Sequence, residues 1–426
     1  MKGEMYGNLI YFIMQEIKMN ICIIPSAELS YESGSTIYAH RLIKYINERG
    51  HKVFVICSKL PRKKVQDVNY RLLDIMEHPV IDDYYVTNEK MWDSVYKILR
   101  EIIIIDNENK IDIIHAHYGT INSMVALNAK ILLKIPYVVS CFGRDVFNGR
   151  SNDKRYARML ELSLPHSDYI VCANNEIKAT LIDNKIINGN NKCIVLQMPI
   201  DTYLFSENEK FQVNGEVNFH ILSVVSCFAE EKGILVTLKS LLELKKRGYN
   251  IFLSIIGCDE HPKQKNMNTY MKFINDNGMQ EYVKFVGQIS NEEIAGWLQK
   301  TDLFVDSRLG GNFSSVILEA LFSKTLVIAS DVKGNTEFIK DGINGRLYPT
   351  GNYIVLSDII ERFIKHEENI DKYKMGIVDW IAQNEKKYSF KVHVDCLEEI
   401  FANVVNNKKT FYLSDSEVQT NDRKGD

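Results

Sequence analysis

Short apolar, β-branched runs alternate along almost the whole chain with longer stretches in which apolar residues recur every three or four positions. That alternation predicts βα units built on parallel sheets. The first unit reads as a strand over residues 21–24, a Ser/Gly loop over 30–35 and a helix over about 36–49 that buries Tyr38, Leu42, Tyr45 and Ile46. Gly50 reads as its left-handed cap and 53–57 as the next strand. Residues 111–115, 137–141, 169–172 and 193–196 follow as further strands.

The same unit recurs 198 residues further on, with Gly248 standing for Gly50. There 219–225 is the strand, 226–233 the loop, 234–247 the helix and 251–256 the next strand. Two doubly wound, Rossmann-like domains are therefore expected, over 19–205 and 216–385, joined near 201–215 where the periodicity is lost. A helix over about 386–405 is expected to complete the first domain. Ligands of such α/β folds bind beyond the carboxyl ends of the strands, so the two domains are expected to face a central cleft. Residues 1–18 read as an extension without an assigned role, and 407–426 as a polar, disordered tail.

Composition narrows the function classes. A chain of 426 residues exceeds one ordinary core, and 45% hydrophobic with 25% charged residues describes a folded protein. Its 52 basic and 55 acidic residues leave a net charge of −3, too balanced for a nucleic-acid partner. The eight cysteines are scattered, with neither a CxxC pair nor zinc-finger spacing, and read as reduced. No run reaches the ~18 to 20 apolar residues that span a bilayer, and the apolar stretch over 9–14 is too short for a secretory signal. A cytoplasmic location is expected. The adjacent Asp82 and Asp83 read as solvated loop, and no metal is expected.

Three loops carry candidate chemistry. Glu32-Ser33-Gly34-Ser35 opens a helix whose free N–H groups and positive dipole end suit an anion, although any doubly wound fold needs a turn there. Ala229-Glu230-Glu231-Lys232-Gly233 follows the second domain's first strand and sets an ammonium group where a helix begins, the charge a departing nucleoside diphosphate requires. A lone lysine is otherwise solvated surface. Ser307-Arg308-Leu309-Gly310-Gly311-Asn312-Phe313-Ser314-Ser315 opens a helix with Glu319 one turn deeper. Backbone and hydroxyl donors there suit phosphate, and the carboxylate suits a ribose diol or, alternatively, only the helix dipole.

Taken in order, these motifs make residues 19–405 resemble the retaining nucleotide-sugar glycosyltransferases of family 4, which have the GT-B fold. Asp112-Ile113-Ile114-His115-Ala116-His117-Tyr118-Gly119 and Gly143-Arg144-Asp145-Val146-Phe147 carry the resemblance in the first domain. Glu231-Lys232-Gly233, the Glu319 helix and Ala329-Ser330-Asp331 through Asn344-Gly345 carry it in the second. The resemblance implies a nucleoside diphosphate sugar as donor, with no separate cofactor. It implies that Gly34 approaches the donor phosphates and that Lys232 neutralises the leaving diphosphate. Ser226, Asn312, Phe313, Ser314 and Ser315 would hold phosphate or sugar, Glu319 the ribose, and Gly257, Gln288 and Ile289 the nucleobase. His117, Tyr118, Phe142, Arg144 and Asp145 would face the donor sugar or the acceptor, with Lys232, Glu319, His117 and Asp145 as the catalytic set; His115, read as lying on the opposite face, would be core.

Three positions depart from the family pattern. Cys227 stands where an arginine is usual, Gly311 where a glutamate is usual, and Phe142 where a histidine is usual. They keep open a weakened pseudo-glycosyltransferase that supports an active partner; a nucleotide-sugar epimerase on the same fold is a separate alternative. The leading reading is transfer of a sugar to a saccharide or lipid-linked acceptor in bacterial surface polysaccharide or glycoconjugate synthesis. Arg62-Lys63-Lys64 and the basic group over 150–158 add an expectation of peripheral contact with the inner membrane face.

Overall fold

The computed structural model describes residues 18–25, 29, 34–75, 88–143, 145–147, 154–189, 191–206, 219–259, 265–310 and 314–421. The chain divides into two units, Met1–Pro199 with Phe390–Asp426, and Ile200–Ser389. In the first, β1 (Asn20–Ile24), β2 (Lys52–Cys57), β3 (Asn69–Leu72), β4 (Ile113–His117), β5 (Tyr137–Cys141), β6 (Tyr169–Cys172) and β7 (Cys193–Val195) form one sheet, ordered β3-β2-β1-β4-β5-β6-β7. In the second, β8 (Phe219–Cys227), β9 (Ile251–Cys258), β10 (Val283–Gly287), β11 (Leu303–Asp306), β12 (Leu326–Ser330) and β13 (Arg346–Tyr348) are ordered β10-β9-β8-β11-β12-β13. All these pairings are parallel. Helices cover both faces of each sheet, which is why the central strands are apolar without alternation.

The two units repeat one construction. Helix Gly34–Glu48 ends at Gly50 with φ +83°, and helix Ile234–Lys246 ends near Gly248 with φ +89°. An aspartate ties each sheet's first strand to its neighbour: Asp112 accepts from the Asn20 N–H and Asp302 from the His220 N–H, both at 2.8 Å. One strand lies two residues later than its periodicity suggests. It runs over Ile113–His117 rather than 111–115, so both histidines sit inside it.

Helix Phe390–Asn421 returns to the first unit and buries Phe390, Val394, Leu397 and Phe401 against Tyr38, Leu42 and Ile46. His393 Nε2 meets the Tyr38 hydroxyl at 2.9 Å, Arg49 pairs with Asp395 at 2.6 Å and with Glu398, and His51 Nε2 lies 2.8 Å from Glu398. The expectation of a disordered tail from Asn407 is corrected, because the helix continues through Asn421. Loss of apolar periodicity marks the end of a packed face, not the end of helical hydrogen bonding. Phe401, on the packed face of this helix, is fully buried. Phe401→Ala is expected to lower the stability of the first unit by about 3–5 kcal/mol, read from urea unfolding; a loss under about 1 kcal/mol would show that the helix adds little to the core.

Candidate functional site

The carboxyl ends of β8, β9, β11 and β12 lie side by side in the second unit, and the loops that leave them interlock. After β8 the turn Glu230–Lys232 is closed by Gly233, left-handed at φ +70°. A Cβ there would stand 1.8 Å from the Ser307 carbonyl oxygen, so only glycine admits this approach. Leu309 N–H donates to the Glu231 carbonyl at 2.8 Å, and the hydroxyls of Thr237 and Ser307 meet at 2.7 Å. The Lys232 turn and the loop after β11 are thus one frame. The Lys232 side chain is one-fifth exposed, with Nζ 3.9 Å from Glu231.

Beneath this frame lies a buried polar cluster. Arg308 Nε and Nη2 donate to the two oxygens of Asp306 at 2.8 and 3.0 Å, and the Ser314 hydroxyl donates to Asp306 Oδ2 at 2.9 Å. Burial pushes the Asp306 carboxyl up, but the Arg308 charge and these hydrogen bonds outweigh it and hold the group below the usual carboxylate range. Ser330 Oγ donates to the Arg308 carbonyl at 2.7 Å, and Asn335 Nδ2 to the Ser330 carbonyl at 3.0 Å.

Helix Ser315–Phe322 starts from Ser314, whose side chain makes no cap bond and whose hydroxyl proton goes to Asp306. What Ser314 offers an anion is therefore its backbone rather than its hydroxyl. Glu319 is buried, and its Oε1 accepts from Asn291 Nδ2 at 3.2 Å; Asn291 opens helix Asn291–Lys300 behind a Ser290/Glu293 capping box. Gly257, at φ +148°, sits where a Cβ would meet the Val225 carbonyl at 2.6 Å. Ser226 is exposed at the end of β8, and Gln288, Ile289 and Ser315 are half-buried. Gly311, Asn312 and Phe313 lie outside the described residues.

Asp306, Arg308, Asn291 and Asn335 are the site residues that sequence reasoning missed. A polar residue closing the apolar strand Leu303-Phe304-Val305, with an arginine two positions on, was the available signal.

In the first unit, His117 is buried with its ring 4.6 Å from His115, 5.4 Å from Phe142 and 5.5 Å from Tyr38. His115 is core as expected, but for a different reason. Residues two apart in a strand share a face, so the two histidines lie together. Burial drives the His117 imidazole down to about 3, helped by the nearby His393, and His393 likewise to about 3. Both are neutral in the folded protein.

Asp145 is buried and accepts from the N–H groups of Gly119 at 2.8 Å, Gly143 at 2.9 Å and Phe142 at 3.2 Å. It therefore clamps the loops that carry Tyr118, left-handed at φ +71°, and Phe142, whose rings lie 5.1 Å apart. Gly34 opens its helix at an exposed position, while Ser33 and Arg144 lie outside the described residues.

Residues 33–203 match the model of Glycosyltransferase Family 4, and residues 205–376 that of Glycosyl transferases group 1. The chain belongs to the family 4-like glycosyltransferases. An uncharacterized glycosyltransferase of Methanocaldococcus jannaschii is 25% identical over 376 residues, which are 87% of this chain and 93% of the relative. The N-acetyl-alpha-D-glucosaminyl L-malate synthase of Bacillus anthracis is 22% identical over 360 residues, 83% of this chain and 89% of that enzyme. Among solved structures, sucrose-phosphate synthase from Thermosynechococcus elongatus superposes with a TM-score of 0.73 at 15% identity, over 92% of this chain and 100% of that one. HepE of Anabaena, in complex with UDP and glucose, superposes with a TM-score of 0.70 at 15% identity, over 90% of this chain and 99% of that one. The fold of this glycosyltransferase is GT-B.

Among its described residues no three or more His, Cys, Asp or Glu are grouped to hold a metal ion, and no helix is long and apolar enough to cross a membrane. In this glycosyltransferase Gly233→Ala is expected to cost clearly more than Gly248→Ala, whose Cβ meets open space at a similar φ and whose strain is about 1–2 kcal/mol. Equal losses in thermal unfolding would show that the contact with Ser307 relaxes.

A second expectation concerns pH. A histidine with a depressed folded pKa leaves the unfolded chain holding more protons below about pH 6.5, so stability is full above that pH and falls as the pH drops toward 3. His117→Leu is expected to flatten this fall in urea midpoints measured from about pH 7.5 to about pH 5. An unchanged slope would mean that His117 is not held neutral.

Proposed function

We propose that this glycosyltransferase moves a sugar from a nucleoside diphosphate sugar to an acceptor hydroxyl, with retention of anomeric configuration and without a metal ion. The fusion of the Lys232 turn to the loop after β11 carries the donor half of this reading. It sets an ammonium group and a helix N-terminus on one rigid frame, the arrangement that stabilises charge developing on a leaving diphosphate. Glu319, oriented by Asn291, is assigned to the ribose, and Gly257, Gln288 and Ile289 to the base. HepE is held with UDP, which supports a nucleotide donor and makes UDP-sugars the first to try.

On this reading the bond from the anomeric carbon to the phosphate oxygen breaks as the bond to the acceptor oxygen forms on the same face, and the acceptor proton passes to the leaving phosphate. Catalysis then consists of positioning and charge stabilisation, with Lys232 supplying more than any general base. Tyr118, Phe142 and Arg144 are assigned to the acceptor side. His117 lies against the Phe142 ring, and Asp145 acts through the loops it clamps. The acceptor is assigned as a saccharide or a lipid-linked saccharide of a bacterial surface polysaccharide or glycoconjugate. The exposed run Arg62-Lys63-Lys64 supports work at the cytoplasmic face of a membrane.

The test is a screen of UDP-, ADP- and GDP-sugars, first for a raised melting temperature and then for transfer, with and without a chelator. Lys232→Ala is expected to lower kcat/KM about 10²-fold or more, while chelation changes nothing. Undiminished activity of the variant would remove Lys232 from the mechanism, and loss on chelation would remove metal independence. If no donor binds, the reading as a partner-supporting pseudo-glycosyltransferase, motivated by Cys227, Gly311 and Phe142, takes its place.

A further inference from the structure

Asp306 is chemically out of place for a site that binds a diphosphate. It is a buried carboxylate at the end of β11, bonded to the residue that starts helix Ser315–Phe322 and in the loop cluster that carries Lys232. A fixed negative charge there repels a dianionic ligand, and burial removes the water that would screen it. Yet the residue has a task, since it takes the Ser314 hydroxyl proton at 2.9 Å. Arg308 lies side-on against both carboxylate oxygens and is itself buried, so its charge is directed at Asp306 rather than at solvent.

We propose that Asp306 and Arg308 form a charge-balanced latch under the diphosphate site: Asp306 fixes the Ser314 end of the helix, and Arg308 cancels the field that this carboxylate would impose on the donor. The inference rests on the donor reading above. Both are positioning residues and neither touches the donor. The groups that face Asp306 from the neighbouring elements are Asn335 at 3.5 Å and the buried phenol of Tyr348, which burial and then the charge of Asp306 keep protonated. Lys232 and Glu231 stand on the turn bonded to Leu309, and Glu319 lies further along the helix that Ser314 opens. Among these, Arg308 is the cation in contact with the carboxylate.

The latch makes a signed prediction that simple packing does not. Titration calorimetry with UDP, ADP and GDP on the full chain identifies the best-bound diphosphate, which then serves as probe for R308M, D306N and the double variant. At about pH 8, R308M is expected to bind about ten-fold or more weakly, because Asp306 is left uncompensated. D306N keeps an acceptor for Ser314 and releases the Arg308 charge, so it is expected to bind about three-fold or more tightly. The double variant is expected to return near the wild type.

Lowering the pH to about 5.5 should restore most of the loss in R308M, since an unpaired buried carboxyl takes up a proton. The double variant in the same buffers corrects for titration of the ligand's own phosphate. If R308M does not fold, the direction of the D306N change decides. Weaker binding by D306N, or an R308M loss that does not respond to pH, overturns the latch and leaves the pair as packing. A wild type that binds none of the three diphosphates overturns the donor reading and the latch with it. Normal wild-type binding with unaffected variants overturns the latch alone.

Discussion

A charged turn can be held rigidly against a neighbouring loop only where nothing projects between their backbones, and the second unit depends on that condition at Gly233. The missing Cβ lets the Ser307 carbonyl come so close that any other residue would collide with it. From that contact the rest follows. Glu231 bonds Leu309, Thr237 meets Ser307, and the loop after β11 has a fixed path on which Arg308 reaches back to Asp306. A lysine on a free surface turn would be a solvated, mobile cation worth little to a developing charge. On the proposed function, the turn that carries this lysine is already in place before a donor arrives, and electrostatic catalysis gains from such preorganisation because no reorganisation is needed at the moment of reaction.

Much of the fold was legible because its signals are local and repeated. The apolar runs with Gly50 and Gly248 punctuating two copies of one unit point to both parallel sheets, since a residue at positive φ commonly ends a helix before the next strand. Errors came where a signal is shared between elements. The strand at Ile113–His117 was placed two residues early because Ile111 is apolar for its own reason, burial in the core before the strand begins. The helical course of residues 407–421 left no trace in the apolar pattern, because that pattern records buried faces alone.

Of the candidate site, the turns at Gly233 and Gly257, the lysine and Glu319 can be named from the sequence, while the contacts of its polar interior cannot. Ser314 reads as a hydroxyl offered to phosphate until Asp306 is seen to take its proton. Asp306 in turn reads as a strand-end acid until Arg308 is seen to cover both of its oxygens. Such roles depend on how the loop after β11 folds back on its own start, since Arg308 and Ser314 lie only two and eight positions beyond Asp306. Spacing along the chain identifies the groups present. It does not identify which of them neutralise one another.

The two units handle charge in opposite ways, and the difference bears on how the chemistry divides. Around His117 the first unit keeps its imidazoles uncharged: those of His117 and His393 are desolvated and neutral, and the Tyr38 hydroxyl meets His393, while Asp145 accepts from backbone N–H groups rather than from a cation. Aromatic rings fill the remaining space, which suits an uncharged partner recognised by shape and hydroxyl groups. Around Asp306 the second unit keeps charge and compensates it pair by pair, leaving Lys232 on the same frame at partial exposure. On the proposed function, the acceptor saccharide and the anionic donor meet these two environments respectively, and the phenylalanine at position 142 packs with the aromatic rings around it rather than standing as an isolated loss.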